Sequence, residues 1–417
     1  MTAELPLPPL VRRVGEHVAA RGGRALLVGG SVRDHLLGHP LKDWDIECYG
    51  LSLRQLERAL RPLGRISTVG RAFSVLKLHT RELDLDISLP RRDSKVGPGH
   101  KGIQAVGDPT LDPAEAARRR DLTVNAIMVD ILDGHMLDPW NGKADLDAGI
   151  LRPVDVDTFL EDPLRAVRAV QFAGRLGFEA TDTLKELCRR AALHELPKER
   201  LLGEWQKLWL KATSPSLGLR LAEETGILQQ IFPEAVSWST PQALTRIDRA
   251  AVLRGTLEGP GRQWVLMTTA WLYDAPAAVV EAFFDTLGLQ RVRTYDAHRN
   301  TVACHAALDR PFDSPRDLRW LSTLTEVDLI CRVHEAAGRD HTEAARHRAA
   351  ALGVLHDAPP PLVQGRDLLK TANMSPGPHL GTILKTTYAA QLDGVVEDVA
   401  SALDYAIALA AEGRQAT

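Results

Sequence analysis

Residues 24–50 read RALLVGGSVRDHLLGHPLKDWDIECYG, and the fold class turns on this stretch. Arg24 to Val28 is a short apolar run ending in paired glycines, the pattern of a buried strand entering a tight turn. Ser31 to Leu37 then begins a helix, with Ser31 near its N-cap. Trp44 to Tyr49 returns to strand character. Residues two apart in a strand share a face, so Asp43 and Asp45 present two carboxylates side by side. Glycine lets backbone approach an anion closely, and a helix start offers unpaired N–H groups to it. Gly29, Gly30 and Ser31 are therefore candidates for a phosphate cradle, with Arg33 adding a cation one turn on.

The same patterning extends outward. Apolar positions at helical spacing predict a helix over 7–21, stopped at Gly22-Gly23, and another over Ser52–Leu60. Strands are expected at Phe73–Leu78 and Glu82–Leu89. The latter contains LDLDISL, which puts Asp84 and Asp86 on one face. Hard divalent ions take oxygen ligands, commonly one or two carboxylates plus substrate phosphates, and carboxylates on neighbouring strands suit two metals and in-line phosphoryl transfer. Alternating Asp also marks the wet face of an antiparallel sheet, and on spacing alone both readings stand. Arg91 to Gly107, RRDSKVGPGHKGIQAVG, is rich in glycine and basic side chains and reads as a mobile loop. Val124–Asp138 closes the α/β unit. Beyond Phe159 apolar residues recur three and four apart, and only helices are expected.

Composition excludes several classes. With 417 residues, 44% hydrophobic and 25% charged, the chain is an ordinary globular protein with enough apolar surface to fold. The balance of 51 basic against 54 acidic residues, net -3, excludes a polybasic binder but not a nucleic-acid enzyme, where local distribution decides. Cys48, Cys188, Cys304 and Cys331 are too dispersed for a zinc knuckle or a CxxC redox pair, which suits a reducing, cytoplasmic setting. The start, MTAELPLPPLVRRV, lacks a signal-peptide core, and no apolar run approaches the ~20 residues of a membrane span. Neither secretion nor a membrane partner is expected.

Two charged clusters stand out. Arg118-Arg119-Arg120-Asp121 runs into LTVNAIM, whose apolar residues pin it to a core element, so at least one arginine should face inward. Glu161-Asp162-Pro163-Leu164-Arg165 opens a helix, with proline early and acids on the positive end of the dipole. Capping alone accounts for the acids. Arg165 and Arg168 also share a helical face, and an acid with a guanidinium fork can read the donor and acceptor edge of a base.

Taken in order, LVGGSVRDHLLGHPLKDWDIECYG, RRRDLTVNAIMVD, LDPWNGKADLDAGILRPV and FLEDPLRAVRAVQFAGRLGF resemble the motifs of the tRNA nucleotidyltransferase/poly(A) polymerase family, class II, across residues 24–212. GRDLL at 365–369 and PGPHLG at 376–381 are similar to the family's C-terminal segment. The resemblance implies an α+β chain: a polymerase-beta-like nucleotidyltransferase head over 1–150, then a helical neck with a nucleotide-selecting helix over 151–215, an RNA-binding helical body over 216–355 and a helical tail over 356–417. It implies that Gly30 and Arg33 bind the triphosphate, that Asp43 and Asp45 hold two Mg²⁺ with Asp86 as third acid, and that Arg120, Asp121 and Asn125 contact ribose and phosphates. Asp162 and Arg165, supported by Arg168, would act as an amino-acid template for CTP or ATP. The loop 91–107 would help switch nucleotide preference, and Arg200 and Glu204 would form a pair in the neck helix. The implied activity is template-independent addition of CMP and AMP to the tRNA 3′ acceptor end. A poly(A), CC-only or A-only enzyme would share almost all these motifs, and oligomeric state is unspecified.

Two departures from the family pattern are visible. Arg165 and Arg168 are followed by Gln171 where many relatives carry a third arginine. The His-Asp metal set of relatives with a phosphohydrolase domain is missing, His356-Asp357 abutting Ala-Pro-Pro-Pro, and His334, His341 and His347 read as an exposed helix face. A phosphohydrolase or nuclease is disfavoured on that ground. A non-catalytic RNA binder would have little reason to keep clustered, repelling carboxylates at 43 and 45.

Overall fold

The computed structural model describes residues 6–41, 44–69, 75–95, 103–371 and 377–415. The chain divides into two compact units, 1–236 and 237–417. In the first, α1 (Pro9–Ala19) and β1 (Arg24–Val28) lead through Gly29 into α2 (Gly30–Leu36). β2 (Asp45–Tyr49), α3 (Leu53–Leu60), β3 (Arg65–Val69), β4 (Val75–His79) and β5 (Asp84–Ser88) follow. After β6 (Arg91–Lys95), β7 (Ile103–Gly107) and α4 (Pro113–Arg118), strands β8 (Met128–Asp130) and β9 (Met136–Leu137) complete a mixed sheet of order β3-β4-β5-β2-β1-β8-β9. Within that sheet β2 and β5 run parallel, in a register that sets Asp45 opposite Asp86.

β1 is apolar at successive positions because the sheet is covered on both faces. Ala25, Leu27, Ile46 and Cys48 pack with Val11 and Val14 of α1 and Leu56 and Leu60 of α3. Leu26, Val28, Tyr49 and Met128 point the other way, against Leu111 and the alanines Ala116 and Ala117 of α4.

The rest of this unit is mainly helical: α5 (Gly142–Ala148), α6 (Leu164–Leu176), α7 (Asp182–Arg190), α8 (Lys198–Lys211), α9 (Pro215–Glu224) and α10 (Ile227–Ile231). α6 lies against both α8 and α9. Its contact with α9 is backbone-close, since a Cβ on Gly218 would sit 2.6 Å from the Val170 carbonyl oxygen. Trp205 and Trp209, with ring centroids 5.1 Å apart, fix α8 from behind.

The second unit holds α11 (Pro241–Leu253), α12 (Pro260–Trp271), α13 (Ala277–Leu287), α14 (Ala297–Ala306), α15 (Pro315–Ser322), α16 (Val327–Ala336), α17 (Thr342–Ala351), α18 (Gly365–Thr371), α19 (Pro378–Asp393) and α20 (Val399–Gln415). Trp264 through Trp271 are all buried, so α12 is apolar on every side and serves as the central helix, flanked by α11, α14 and α16. No helix among the described residues is long and apolar enough to cross a membrane.

The α/β head followed by helices is as expected, with four local corrections. The segment read as a loop over 91–107 contains the antiparallel strands β6 and β7, whose pairing its glycine content hid; residues 96–102 lie outside the described residues. A short strand, Glu179–Ala180, follows α6 and pairs with Ile150–Leu151. Ser31 does not cap α2: the N-cap is Gly29, and the Ser31 hydroxyl donates back to the Val28 carbonyl at 3.1 Å. His334 is not on an exposed face either. It is fully buried in α16, stacked on Phe312 at 5.0 Å and 3.0 Å from the Tyr273 hydroxyl through Nδ1, while His341 and His347 are exposed.

Burial, with Arg339 nearby, pushes the His334 pKa down to about 4. The folded state therefore keeps the ring neutral while the unfolded chain protonates it near 6.5. Stability from this site is complete above that value and is lost as pH falls toward the folded pKa. Between pH 7 and pH 5 the loss should be about 2 kcal/mol. Urea denaturation at both pH values should show it, and His334→Gln should flatten that part of the pH dependence; an unchanged slope in the variant would assign the loss to other groups.

Candidate active site

Gly29 has φ 71°, a left-handed conformation that favours glycine. It is also where a side chain could not fit comfortably: a Cβ there would lie 3.1 Å from Arg120 Nη1. The glycine turn therefore lets a guanidinium lie directly against the backbone between β1 and α2. Arg33, buried on α2, donates from Nη1 to Asn125 Oδ1 at 2.5 Å and from Nε and Nη2 to Asp34. Asn125 in turn donates to Asp121 Oδ1 at 2.9 Å, and Arg168 of α6 donates from Nε to Asp121 Oδ2 at 2.6 Å.

Asp121 is thus the buried anion joining the turn after β1 to α6. Burial alone would raise its pKa, but the Arg168 charge and the hydrogen bonds from Asn125, Arg168 and the Leu122 N–H outweigh it, and the net shift is downward. Arg168 reaches on to Glu204 of α8 at 3.5 Å, and Lys207 holds the same carboxylate oxygen at 2.7 Å. Phe172 provides the floor: the guanidinium carbons of Arg33, Arg168 and Arg175 stand 5.0, 5.4 and 5.8 Å from its ring centroid, within cation–π range.

These groups open on a cleft of about 830 Å³. Its walls carry ten Lys and Arg side chains against four Asp, a balance that suits a polyanion. Gly29, Gly30, Ser31, Arg33, Asp45, Arg120, Asp121, Asn125, Asp162, Arg165 and Arg168 all line it. Asp86 does not, although it is exposed beside Asp45 in register and held by Lys77 at 3.5 Å. Asp43 lies outside the described residues. Asp45 and Asp86 are solvent-facing, hard oxygen donors on adjacent strands, a donor set that fits Mg²⁺. No group of three potential ligands occurs among the described residues.

At the start of α6, Asp162 accepts from Arg200 at 3.2 and 2.8 Å and from the Leu164 N–H at 3.2 Å. Arg200 therefore pairs with Asp162 rather than with Glu204, whose partners are Lys207 and Arg168. Arg165 is buried and donates to the carbonyls of Thr158 and Arg119 at 2.8 and 2.6 Å. Gln171 is buried along the same wall, and its carboxamide finds no hydrogen-bond partner among the described residues.

Sequence reading missed Glu47, Arg119, Phe172, Arg175, Lys207 and Lys211. Glu47 was within reach, since the period of two that groups Asp43 with Asp45 carries on to it. Its carboxylate is buried between Arg119 Nη2 at 2.9 Å and Arg120 Nη2 at 3.7 Å, and accepts from the Tyr49 hydroxyl at 2.5 Å. Burial works against its charge, yet the two guanidinia and the Tyr49 O–H bring its pKa down overall.

Against known proteins, a family model described as the poly A polymerase head domain matches residues 25–152, and one described as the probable RNA and SrmB-binding site of polymerase A matches 178–238. Over those segments the chain is similar to the CCA-adding enzyme/poly(A) polymerase class II family. It is 38% identical over 214 residues to the multifunctional CCA protein of Nitrosomonas europaea, covering 50% of this chain and 49% of that one. With the multifunctional CCA protein of Methylococcus capsulatus it is 38% identical over 219 residues, covering 51% and 49%. The chain thus matches about half the length of these curated relatives. Its fold is that of CCA-adding enzymes throughout. The Bacillus stearothermophilus CCA-adding enzyme in complex with CTP superimposes with TM-score 0.74 at 21% identity, over 99% of this chain and 100% of that one. The Thermotoga maritima CCA-adding enzyme complexed with tRNA gives 0.65 at 20% identity, over 96% of each.

The placement of Asp121 makes a stability prediction for this chain. Asp121→Ala removes the acceptor shared by Asn125 and Arg168 and should cost about 2–3 kcal/mol, near the lower end for breaking a buried pair because Arg168 keeps Glu204. Urea denaturation would measure it, and a loss below about 0.5 kcal/mol, the scale of an ordinary surface change, would show that the bridge carries no load.

Proposed function

We propose that this chain is a template-independent RNA nucleotidyltransferase that adds CMP and AMP, from CTP and ATP, to the 3′ end of tRNA with release of pyrophosphate. The observation that carries this reading is the meeting, in one cationic cleft, of the glycine turn under Arg120, the buried Arg33 and the exposed carboxylate of Asp45. The likeness to CCA-adding enzymes supports it.

The residues divide the work as follows. Arg33 and Arg120 face the triphosphate, each fixed by a neighbouring side chain, so little reorganisation accompanies binding. Asp121 and Asn125 keep Arg33 and Arg168 in register and offer polar atoms toward the ribose. Two Mg²⁺ held by Asp43 and Asp45, with Asp86 alongside, would supply the charge neutralisation that phosphoryl transfer uses at the attacking and leaving oxygens. No covalent protein intermediate is required. Asp162, clamped by Arg200, presents a carboxylate that accepts from an exocyclic amine, as cytosine and adenine both carry. Arg165, anchored by the carbonyls of Thr158 and Arg119, lines the same cleft and is placed to donate to a base edge.

Incubating a tRNA transcript lacking its 3′ end with mixed NTPs and sequencing the products should show C and A additions; no extension under any NTP combination would reject the reading. Asp45→Ala or Asp43→Ala should reduce incorporation to background while tRNA binding persists, and near-normal turnover in either would refute the metal assignment. The double change Asp162→Ala with Arg165→Ala should blur selection among the four NTPs, and unaltered selectivity would remove the template role.

A further inference from the structure

We infer that Glu47 is a positioning residue for nucleotide binding, acting through Arg119 and Arg120 to aim their guanidinia at the phosphate end of the cleft. The inference rests on reading the cleft as an NTP site and names a group that reading does not use.

Glu47 sits on β2 two residues beyond Asp45, on the same face of the strand, but with the opposite environment. Asp45 is exposed, whereas Glu47 is 1% exposed. A buried carboxylate is costly unless paired, and this one has three partners: Arg119 at 2.9 Å, Arg120 at 3.7 Å and the Tyr49 hydroxyl at 2.5 Å. Arg119 Nε is buried without a partner among the described residues, so the charge-assisted bond to Glu47 is its anchor. Arg120 is the guanidinium lying 3.1 Å from the Cβ position of Gly29. Two adjacent cations repel, and a single carboxylate behind them lets both stay together at the cleft wall while leaving the pair net positive. Arg119 also carries the carbonyl that accepts from Arg165, so the orientation Glu47 imposes extends to the base-facing end of α6.

The sign of one measurement separates aiming from simple charge. Removing a negative charge from a cationic cleft would, by itself, tighten binding of a polyanion. Loss of aim weakens it. CTP binding by the full chain is followed by equilibrium dialysis for the wild type, Glu47→Gln, the double variant Arg119→Ala/Arg120→Ala and the triple variant, with thermal unfolding of each to establish the folded fraction. Glu47→Gln is expected to raise the CTP Kd about ten-fold, the scale of one charge-assisted hydrogen bond. In the Arg119→Ala/Arg120→Ala background the same change should have less than about a two-fold effect, because coupled residues are not additive. KM for CTP should follow Kd while kcat moves less.

Tighter or unchanged CTP binding by folded Glu47→Gln overturns the proposal. So does an equal loss in both backgrounds, which would mark a structural role independent of Arg119 and Arg120. If the wild type itself binds no CTP, the NTP reading of the cleft fails and this proposal with it; wild-type binding that Glu47→Gln leaves intact sinks this proposal alone.

Discussion

The cleft depends on one buried carboxylate. Asp121 takes hydrogen bonds from Asn125, the Leu122 N–H and Arg168, and through Asn125 it reaches Arg33 on the helix after the glycine turn. Each link is short-range, but together they tie the end of the first strand of the sheet to a helix more than a hundred positions later. Without an anion at that point, the three guanidinia around Phe172 would keep only peripheral partners, Arg33 leaning on Asp34 and Arg168 on Glu204 at 3.5 Å. The burial of these cations already counts against them: Arg120 and Arg175 both have pKa values below that of a free guanidinium, burial being the leading cause. The cleft nevertheless keeps an excess of positive charge, ten Lys and Arg side chains lining it against four Asp.

The same logic separates the acids of the central strands by depth. Asp45 and Asp86 face solvent in register across a parallel pair, where a desolvation penalty is small and oxygen donors remain accessible to a hydrated cation. Glu47 and Asp121 are buried and consumed by arginines. Acids of one chemical type therefore serve as exposed donors or as internal counter-ions according to burial alone. Spacing in the sequence does not carry that distinction, since 43, 45 and 47 follow one period.

This explains which parts of the molecule were legible. The head was readable because its signals are local: an apolar run into Gly29-Gly30, a period of two through β2 and β5, and apolar residues at helical spacing in α1 and α3. Arg33, Arg120, Asp121, Asn125, Asp162, Arg165 and Arg168, which share the lining of the cleft, stand out in the sequence because they occur in compact motifs. What escaped depends on tertiary contact. Arg175 and Lys207 sit in ordinary amphipathic helices and gain meaning only where α6 meets α8. His334 looked like part of a polar helix face, yet Phe312 and Tyr273, distant in sequence, enclose it. The antiparallel pairing of Arg91–Lys95 with Ile103–Gly107 was hidden because glycine and basic residues dominate the segment and no period-two apolar pattern marks it in the sequence.

Selection of the base is where the free structure and the proposed chemistry differ most in their demands. Arg165 in this state is a structural tie, spending its guanidinium on the carbonyls of Thr158 and Arg119, while Asp162 is already presented by Arg200. The acid half of the proposed template is therefore rigid before binding, and the basic half is bound to backbone. An arginine anchored to backbone cannot swing to follow a poorly matched base, so its donors are paired only when the base edge brings an acceptor to them. A base without that acceptor leaves a desolvated donor of the cleft unpaired. Discrimination of this kind comes from a protein donor that the wrong nucleotide leaves unanswered, a larger penalty than a poor fit in an apolar pocket provides.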